Sequence, residues 1–228
     1  MKNEYNNSIK PEDLIKLYSA GIFPMSKDRE DQEIFFVNPE YRAIIPIRKF
    51  HFSKSLKRLI KQRPFKITFN KAFPQVIHSC ANINRNDTWI NKEIESLFIS
   101  LHKMQYAHSI ECWKDNELVG GVYGLAIGGV FFAESMFSSI SNGSKIALTH
   151  LVAILSKNGF KLLDVQFLNE HLLQFGAHEI TKYQFERKLK LAVEIETDLY
   201  SIESTDDDLF KCLSLFVHSS MDKSYTES

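Results

Sequence analysis

Residues 118–133 carry no charge, and five of these 16 residues are glycine. A membrane-crossing helix needs about 20 apolar residues, so the run is too short to span a bilayer. It reads instead as two buried strands, 118–126 and 130–135, turned back on each other at Gly128-Gly129. Strands that are apolar on both faces need cover on both faces, which places them inside a layered fold. With 228 residues, 44% hydrophobic and 25% charged, the chain can build such a core, and the same balance excludes wholesale disorder.

Around this pair the periodicity alternates. Pro11 followed by Leu14, Ile15, Leu17 and Tyr18 predicts a short helix, ended by Gly21-Ile22-Phe23-Pro24. Residues 26–33 are charged and read as a loop. Residues 35–47, broken by Pro39 and Pro46, read as extended segments. Residues 65–69 and 108–113 alternate as strands, while 71–81 and 91–103 have helical spacing. Residues 141–144 open a helix capped by a polar side chain. Its buried face is Ala147, Leu148, Leu151, Val152 and Leu155, and Asn158-Gly159 stops it. A strand at 160–167 and a short helix at 169–175 follow. This order predicts an α/β (α+β) layer with a mixed sheet. Beyond residue 200 the chain is acidic and polar. Residues 209–218 could add a small helix, and the last ten are expected to be disordered.

Net charge is zero, with 28 basic and 28 acidic residues, yet no acidic residue stands between Glu40 and Asp87. Those 46 residues hold eleven basic ones, among them Arg42, Arg63 and Arg85, which leaves 17 basic and 28 acidic elsewhere. A surface of one sign attracts a polyanion. Within this stretch Ser53 is a candidate N-cap, and Lys54, Lys57, Arg58 and Lys61 share one helical face. Phe52, Leu56, Leu59 and Ile60 fall opposite. A solvated surface helix is the plain alternative; the acid-free surroundings favour phosphate contact.

Asp164-Val165-Gln166 ends a predicted strand, where layered sheets place ligands. Alternation sets Asp164 and Gln166 on one face, roughly 7 Å apart. A carboxylate there needs a partner, and from these residues alone a structural Asp that caps a loop or pairs with a lysine is the favoured reading over a functional one. Glu134 ends the uncharged run; it could pair with Lys145 or hold a cationic group of a substrate. Trp89 is either core or a platform for a stacked base. Cys80, Cys112 and Cys212 stand at long spacings that suit a reducing cytosol. The eight histidines show no metal-ligand spacing. No nucleophile elbow, P-loop or dinucleotide fingerprint occurs, and the first 14 residues lack the apolar core of a secretory signal.

Several motifs together point to a family. They are Tyr18-Ser-Ala-Gly21-Ile-Phe-Pro24, Asn38-Pro39, Arg42-Ala43, Thr88-Trp-Ile90, Ala107-His-Ser-Ile-Glu111, Glu134-Ser-Met-Phe137, Ser144-Lys145 and Asp164-Val-Gln166. At these spacings the chain strongly resembles the leucyl/phenylalanyl-tRNA–protein transferases over about residues 14–186. The resemblance implies a small N-terminal α+β domain (1–63) and a GNAT-type acyltransferase domain with a mixed sheet (64–200); the acidic, partly disordered tail (201–228) lies outside it. The resemblance also implies a cytoplasmic enzyme without cofactor, metal or membrane contact, with a monomer favoured. The enzyme would move leucine or phenylalanine from Leu-tRNA or Phe-tRNA to proteins beginning with Arg or Lys, marking them for N-end-rule degradation.

An aminoacyl ester is already activated, so such an enzyme needs alignment, proton removal and oxyanion stabilisation rather than a covalent nucleophile. By the resemblance, Gln166 contacts the attacking amine, Asp164 polarises Gln166, and Glu134 positions the amine or the acceptor's basic side chain. Val122, Phe131, Leu151 and Leu155 match the aminoacyl pocket. Trp89 stacks on the terminal adenine, and Lys54, Lys57, Arg58 and Lys61 hold the acceptor stem by its phosphates. The chain departs from the family at Phe35-Phe36 and Met25, where tryptophan is usual. It departs again at Val122, Leu151 and Leu155, where the family's side chains are larger, so the pocket is expected to be wider and the order of leucine and phenylalanine is open. Two rivals make different predictions. An acetyl-coenzyme A enzyme needs a glycine-rich pyrophosphate loop where Ser139-Ile-Ser-Asn-Gly-Ser144 stands, and a non-catalytic RNA-binding module has no use for Asp164.

Overall fold

The computed structural model describes residues 9–82, 88–199 and 205–222. In chain order it runs α1 (Pro11–Ser19), β1 (Phe23–Met25), β2 (Phe35–Val37), β3 (Tyr41–Ile44), α2 (Lys54–Gln62), β4 (Lys66–Phe69), α3 (Phe73–Asn82) and α4 (Lys92–Lys103). There follow β5 (Ala107–Lys114), β6 (Glu117–Ile127), β7 (Val130–Ser138), α5 (Gly143–Lys157), β8 (Leu162–Gln166), α6 (Glu170–Leu173), β9 (His178–Thr181), α7 (Lys182–Ala192) and α8 (Asp206–Asp222). Among these residues one seven-stranded sheet is ordered β4-β5-β6-β7-β8-β3-β9, and β1 pairs with β2 apart from it.

The uncharged run lies mid-sheet. β6 and β7 pair antiparallel with Ile127 opposite Val130, and Gly128 takes φ +53° at the turn, a conformation that glycine adopts without steric cost. β7 and β8 are parallel, joined through α5, while β8–β3 and β3–β9 are antiparallel, so the sheet is mixed as predicted. Neighbouring residues serve opposite faces. Val122 joins one core with Leu148, Leu151 and Leu155 of α5; Tyr123 joins the other with Phe73 of α3 and Phe98 of α4. Two cores, one per face, explain why residues 118–133 carry no charge.

Local signals account for most boundaries. Asn91 and Ser53 cap α4 and α2, accepting from Ile94 N at 2.8 Å and Leu56 N at 3.2 Å. Gly159 (φ +79°) closes α5, where Phe160 N reaches Leu155 O at 3.0 Å. The start of α5 differs from expectation. Asn142 is left-handed (φ +72°) and makes no side-chain cap; Ser138, from the end of β7, accepts from Ser144 N at 2.7 Å instead. That cap depends on a close approach: a Cβ at Gly120 would lie 2.6 Å from Gly143 Cα, so β6 and the first turn of α5 meet only because both residues are glycine.

Within the segment read as a small N-terminal domain (1–63), residues 9–63 contribute β3 to the large sheet, between β8 and β9, and side chains to both cores. Composition marks the segment but cannot reveal strand partners more than a hundred residues away. In the tail beyond 200 the helix expected at 209–218 is present as the longer α8, and residues 223–228, within the stretch expected to be disordered, lie outside the described residues. Leu209, Cys212, Leu213 and Phe216 bury one helical stripe against α5, and the acidic first turn suits a helix N-terminus. Arg63 pairs with Asp206 (3.0 Å) and Asp207 (2.7 Å), and Asp206 also accepts from Ile67 N. β9 and α7 have no counterpart among the expectations, although Thr181 and Gln184 form a capping box that announces α7. Among the described residues no helix is long and apolar enough to cross a membrane.

Candidate active site

β7 and β8 pair only at Val130–Phe132 against Leu162–Asp164. Beyond that point a cavity of about 250 Å³ opens beside both strands. Its walls include Ala133, Glu134 and Met136 from β7, Val165 and Gln166 from β8, and Val122, Leu148 and Leu172. Phe23, Met25 and Trp89 line it as well. The strand register explains how Glu134 enters this space. Tyr123 faces Ser135 and Gly124 faces Ala133, so Glu134 is the extra residue of a bulge, a device that re-aims side chains beside active sites.

A buried polar chain runs under the cavity floor. Arg42, 1% exposed, donates Nε to both oxygens of Asp164 (2.9 and 3.0 Å) and Nη2 to Oδ2 (2.6 Å). Its Nη1 donates to Gly21 O at 2.8 Å, and the guanidinium lies 4.5 Å from the ring centroids of both Phe23 and Phe185. Asp164, fully buried, thus has the paired and hydrogen-bonded state that a buried charge requires. Its Oδ1 also accepts from Gln166 N at 3.0 Å. Gln166 takes φ +56°, the left-handed region that costs a residue with a Cβ. This backbone turn departs from the extended geometry that the predicted alternation of Asp164 and Gln166 assumed. Gln166 Nε2 then donates to Glu134 Oε1 at 3.2 Å.

Burial pushes the Glu134 carboxyl up to about 8; the Tyr18 hydroxyl and Arg42 favour its charged form, and Asp164 opposes it. Tyr18 is itself raised well above the usual phenol range, first by burial and then by Glu134. The site therefore holds one carboxylate locked to a guanidinium and a second one poised close to neutral pH.

The sequence-predicted residues divide as follows. Asp164, Gln166 and Glu134 meet, but Asp164 holds the Gln166 backbone rather than its amide, and Glu134 pairs with Gln166 rather than with Lys145. Trp89 lines the cavity, its carbonyl accepting from Ser26 N and Oγ at 3.2 and 2.8 Å. Of the four pocket candidates only Val122 lines the cavity; Phe131, Leu151 and Leu155 are core residues, 0–1% exposed. Leu148, Leu151 and Leu155 share a face of α5, and only the first of them reaches the opening. Leu172 was missed, and Arg42, which the sequence marked as one cation among eleven and as part of the Arg42-Ala43 motif, was given no place in the site. A cation inside the apolar stretch Tyr41-Arg42-Ala43-Ile44-Ile45 was the available signal.

On α2, Leu56 and Ile60 are buried while Lys54, Arg58 and Lys61 are exposed and Lys57 is half-buried. A polar cleft of about 160 Å³ separates this helix from the start of α5, with Arg58, Lys145 and Gln174 in its walls. The segment 169–174 thus touches both spaces, through Asn169 and Leu172 on the cavity side and Gln174 on the cleft side. Arg85 lies outside the described residues.

Known proteins are similar to the chain over most of its length. The family model described as leucyl/phenylalanyl-tRNA protein transferase matches residues 44–190, and the one for the N-terminal domain of that family matches residues 7–40. A leucyl/phenylalanyl-tRNA–protein transferase of Hyphomonas neptunium is 46% identical over 192 residues, 83% of this chain and 74% of its own. That of Phenylobacterium zucineum is 46% identical over 192 residues, covering 83% and 87%. That of Rhodospirillum rubrum is 44% identical over 193 residues, covering 84% and 91%.

Proposed function

The chain belongs to the leucyl/phenylalanyl-tRNA protein transferase family and is an aminoacyltransferase, and from that premise we propose that it moves leucine or phenylalanine from aminoacyl-tRNA to the α-amino group of proteins beginning with Arg or Lys. The product is an N-terminal mark for degradation, made in the cytoplasm, a setting that suits three buried thiols. We read residues 64–200 as a GNAT-type acyltransferase unit. In support, β5, β6 and β7 are antiparallel, and a helix carries the chain from β7 to a parallel β8 that soon leaves it.

The observation that carries the reading is the juxtaposition of an apolar cavity with the Glu134–Gln166 pair at its wall. Its volume of about 250 Å³ exceeds the roughly 150 Å³ that accommodates benzene, so either side chain has room among Val122, Leu148 and Leu172. A pocket distinguishes one methylene by only about 1–3 kcal/mol, which suits a dual donor. Phe131, Leu151 and Leu155 support this wall from behind. Trp89 offers a face for the terminal adenine, and the α2 stripe offers cations to acceptor-stem phosphates, which position RNA without reading sequence. Gln166, held by its own backbone bond to Asp164, directs its amide oxygen to an incoming N–H. A cationic acceptor residue is favoured beside Glu134, whose charge it stabilises.

The test combines purified protein, labelled Leu-tRNA and peptides differing only in their first residue. Label is expected in peptides beginning with Arg or Lys and not in one beginning with Glu. Label that stays on the tRNA in every case refutes the proposal.

A further inference from the structure

Amide formation from an amine and an ester releases a proton that something in the site must take. Gln166 cannot serve, because an amide is a very weak base. Asp164 is fully buried, absent from the cavity walls, and engaged through both oxygens by Arg42 and the Gln166 N–H. The carboxylate that reaches the cavity is Glu134, put there by a bulge and oriented by Gln166 Nε2 at 3.2 Å.

We infer that Glu134 is the catalytic base of the transfer and then its acid, an inference that rests on the reaction proposed above. The amine nitrogen forms the new C–N bond to the ester carbonyl carbon, and the carbonyl π pair moves onto oxygen. The nitrogen passes its proton to a Glu134 oxygen. As the tetrahedral centre collapses, the C–O bond to the ribose breaks, and the departing oxygen takes the proton back from Glu134. Products are an amide and a ribose hydroxyl, with the carboxylate restored and no further reagent consumed.

The surroundings suit the task. Tyr18 from α1, Arg42 from β3 and Asp164 from β8 are the titratable or charged groups whose effects on this carboxyl are resolved, and Tyr123 from β6 acts on Tyr18. Burial outweighs them and brings the carboxyl to about 8, beside the 7.7–8.0 or so of a free α-amino group. Proton transfer between groups of matched affinity near the working pH is the favourable case for general acid–base catalysis.

The test measures single-turnover transfer from saturating Leu-tRNA to an Arg-peptide below saturation, from pH 5.5 to 8 at constant ionic strength. In the native enzyme the amine and Glu134 must both lose a proton, so log rate against pH is expected to approach a slope of two below pH 7. Glu134→Gln keeps an oxygen for Gln166 to donate to; it should be slower by about 10²–10⁴-fold and show a slope of one. Glu134→Asp should be slower than native with the slope of two retained, which gives a second readout if the Gln variant fails to fold. A slope of one in the native enzyme, or a Gln variant within a few-fold of it with an unchanged profile, overturns the inference. No transfer by the native enzyme at any pH refutes the proposed reaction instead.

Discussion

Arg42 carries its charge with 1% of its surface exposed, and Asp164 answers it with none. Removing one member of such a pair leaves the other buried without compensation, at about 3–5 kcal/mol. Asp164→Ala should therefore lower Tm and transfer together, while tRNA affinity stays within a few-fold. Replacing both, as Arg42→Met with Asp164→Leu, should recover most of the stability, since apolar substitutes for buried pairs are often neutral. Transfer should stay low, because the Gln166 N–H loses its acceptor and the left-handed turn loses its anchor. Thermal melts and transfer assays on the single and double variants check this; a double variant with native activity would dismiss the role given to Asp164. Asp164 and Gln166 were legible in the sequence as a pair. Their division of labour was not, because a positive φ at a non-glycine residue leaves no trace in composition.

At the scale of elements, α2 presents its cations with no acidic residue in its first turn, an arrangement unfavourable for an isolated helix and suited to one that meets phosphates. Lys54→Glu with Lys57→Glu should weaken aminoacyl-tRNA binding and lower the salt slope of log affinity by about one for each phosphate no longer engaged. Transfer at saturating tRNA should change little. Titrations at several salt concentrations read both quantities; unchanged affinity and slope would remove α2 from the interface. Elements with strong local signals were visible beforehand: the hairpin at Gly128, the capped helix α2, the amphipathic α4, and the stop at Gly159. α8 was underestimated because four acidic or polar residues hide a buried stripe, Leu209, Cys212, Leu213 and Phe216, that shows only at helical spacing. Its Phe216 reaches Phe50 and Phe52, with ring centroids 6.4 and 5.6 Å away, so the last helix braces the entry to the basic one.

For the whole molecule, the two cores draw on every part of the described chain, and β3 stands inside the sheet rather than beside it. Unfolding should accordingly be one cooperative transition, with fluorescence from Trp89 and Trp113 and backbone dichroism falling together. Two separated transitions would instead mark an N-terminal unit that folds on its own. The layered class was legible because doubly buried strands exclude charge; the strand order was not, because β3 finds its neighbours through chain closure that no local pattern encodes. That closure has a temporal side. Arg42 and Asp164 are 122 residues apart in the chain, and at about 5–20 residues per second a ribosome needs roughly 6–24 s to make the second after the first. Throughout that interval the arginine has no carboxylate and its strand no neighbour, so catalytic competence is acquired late in synthesis, as a single event, rather than accumulated along the way.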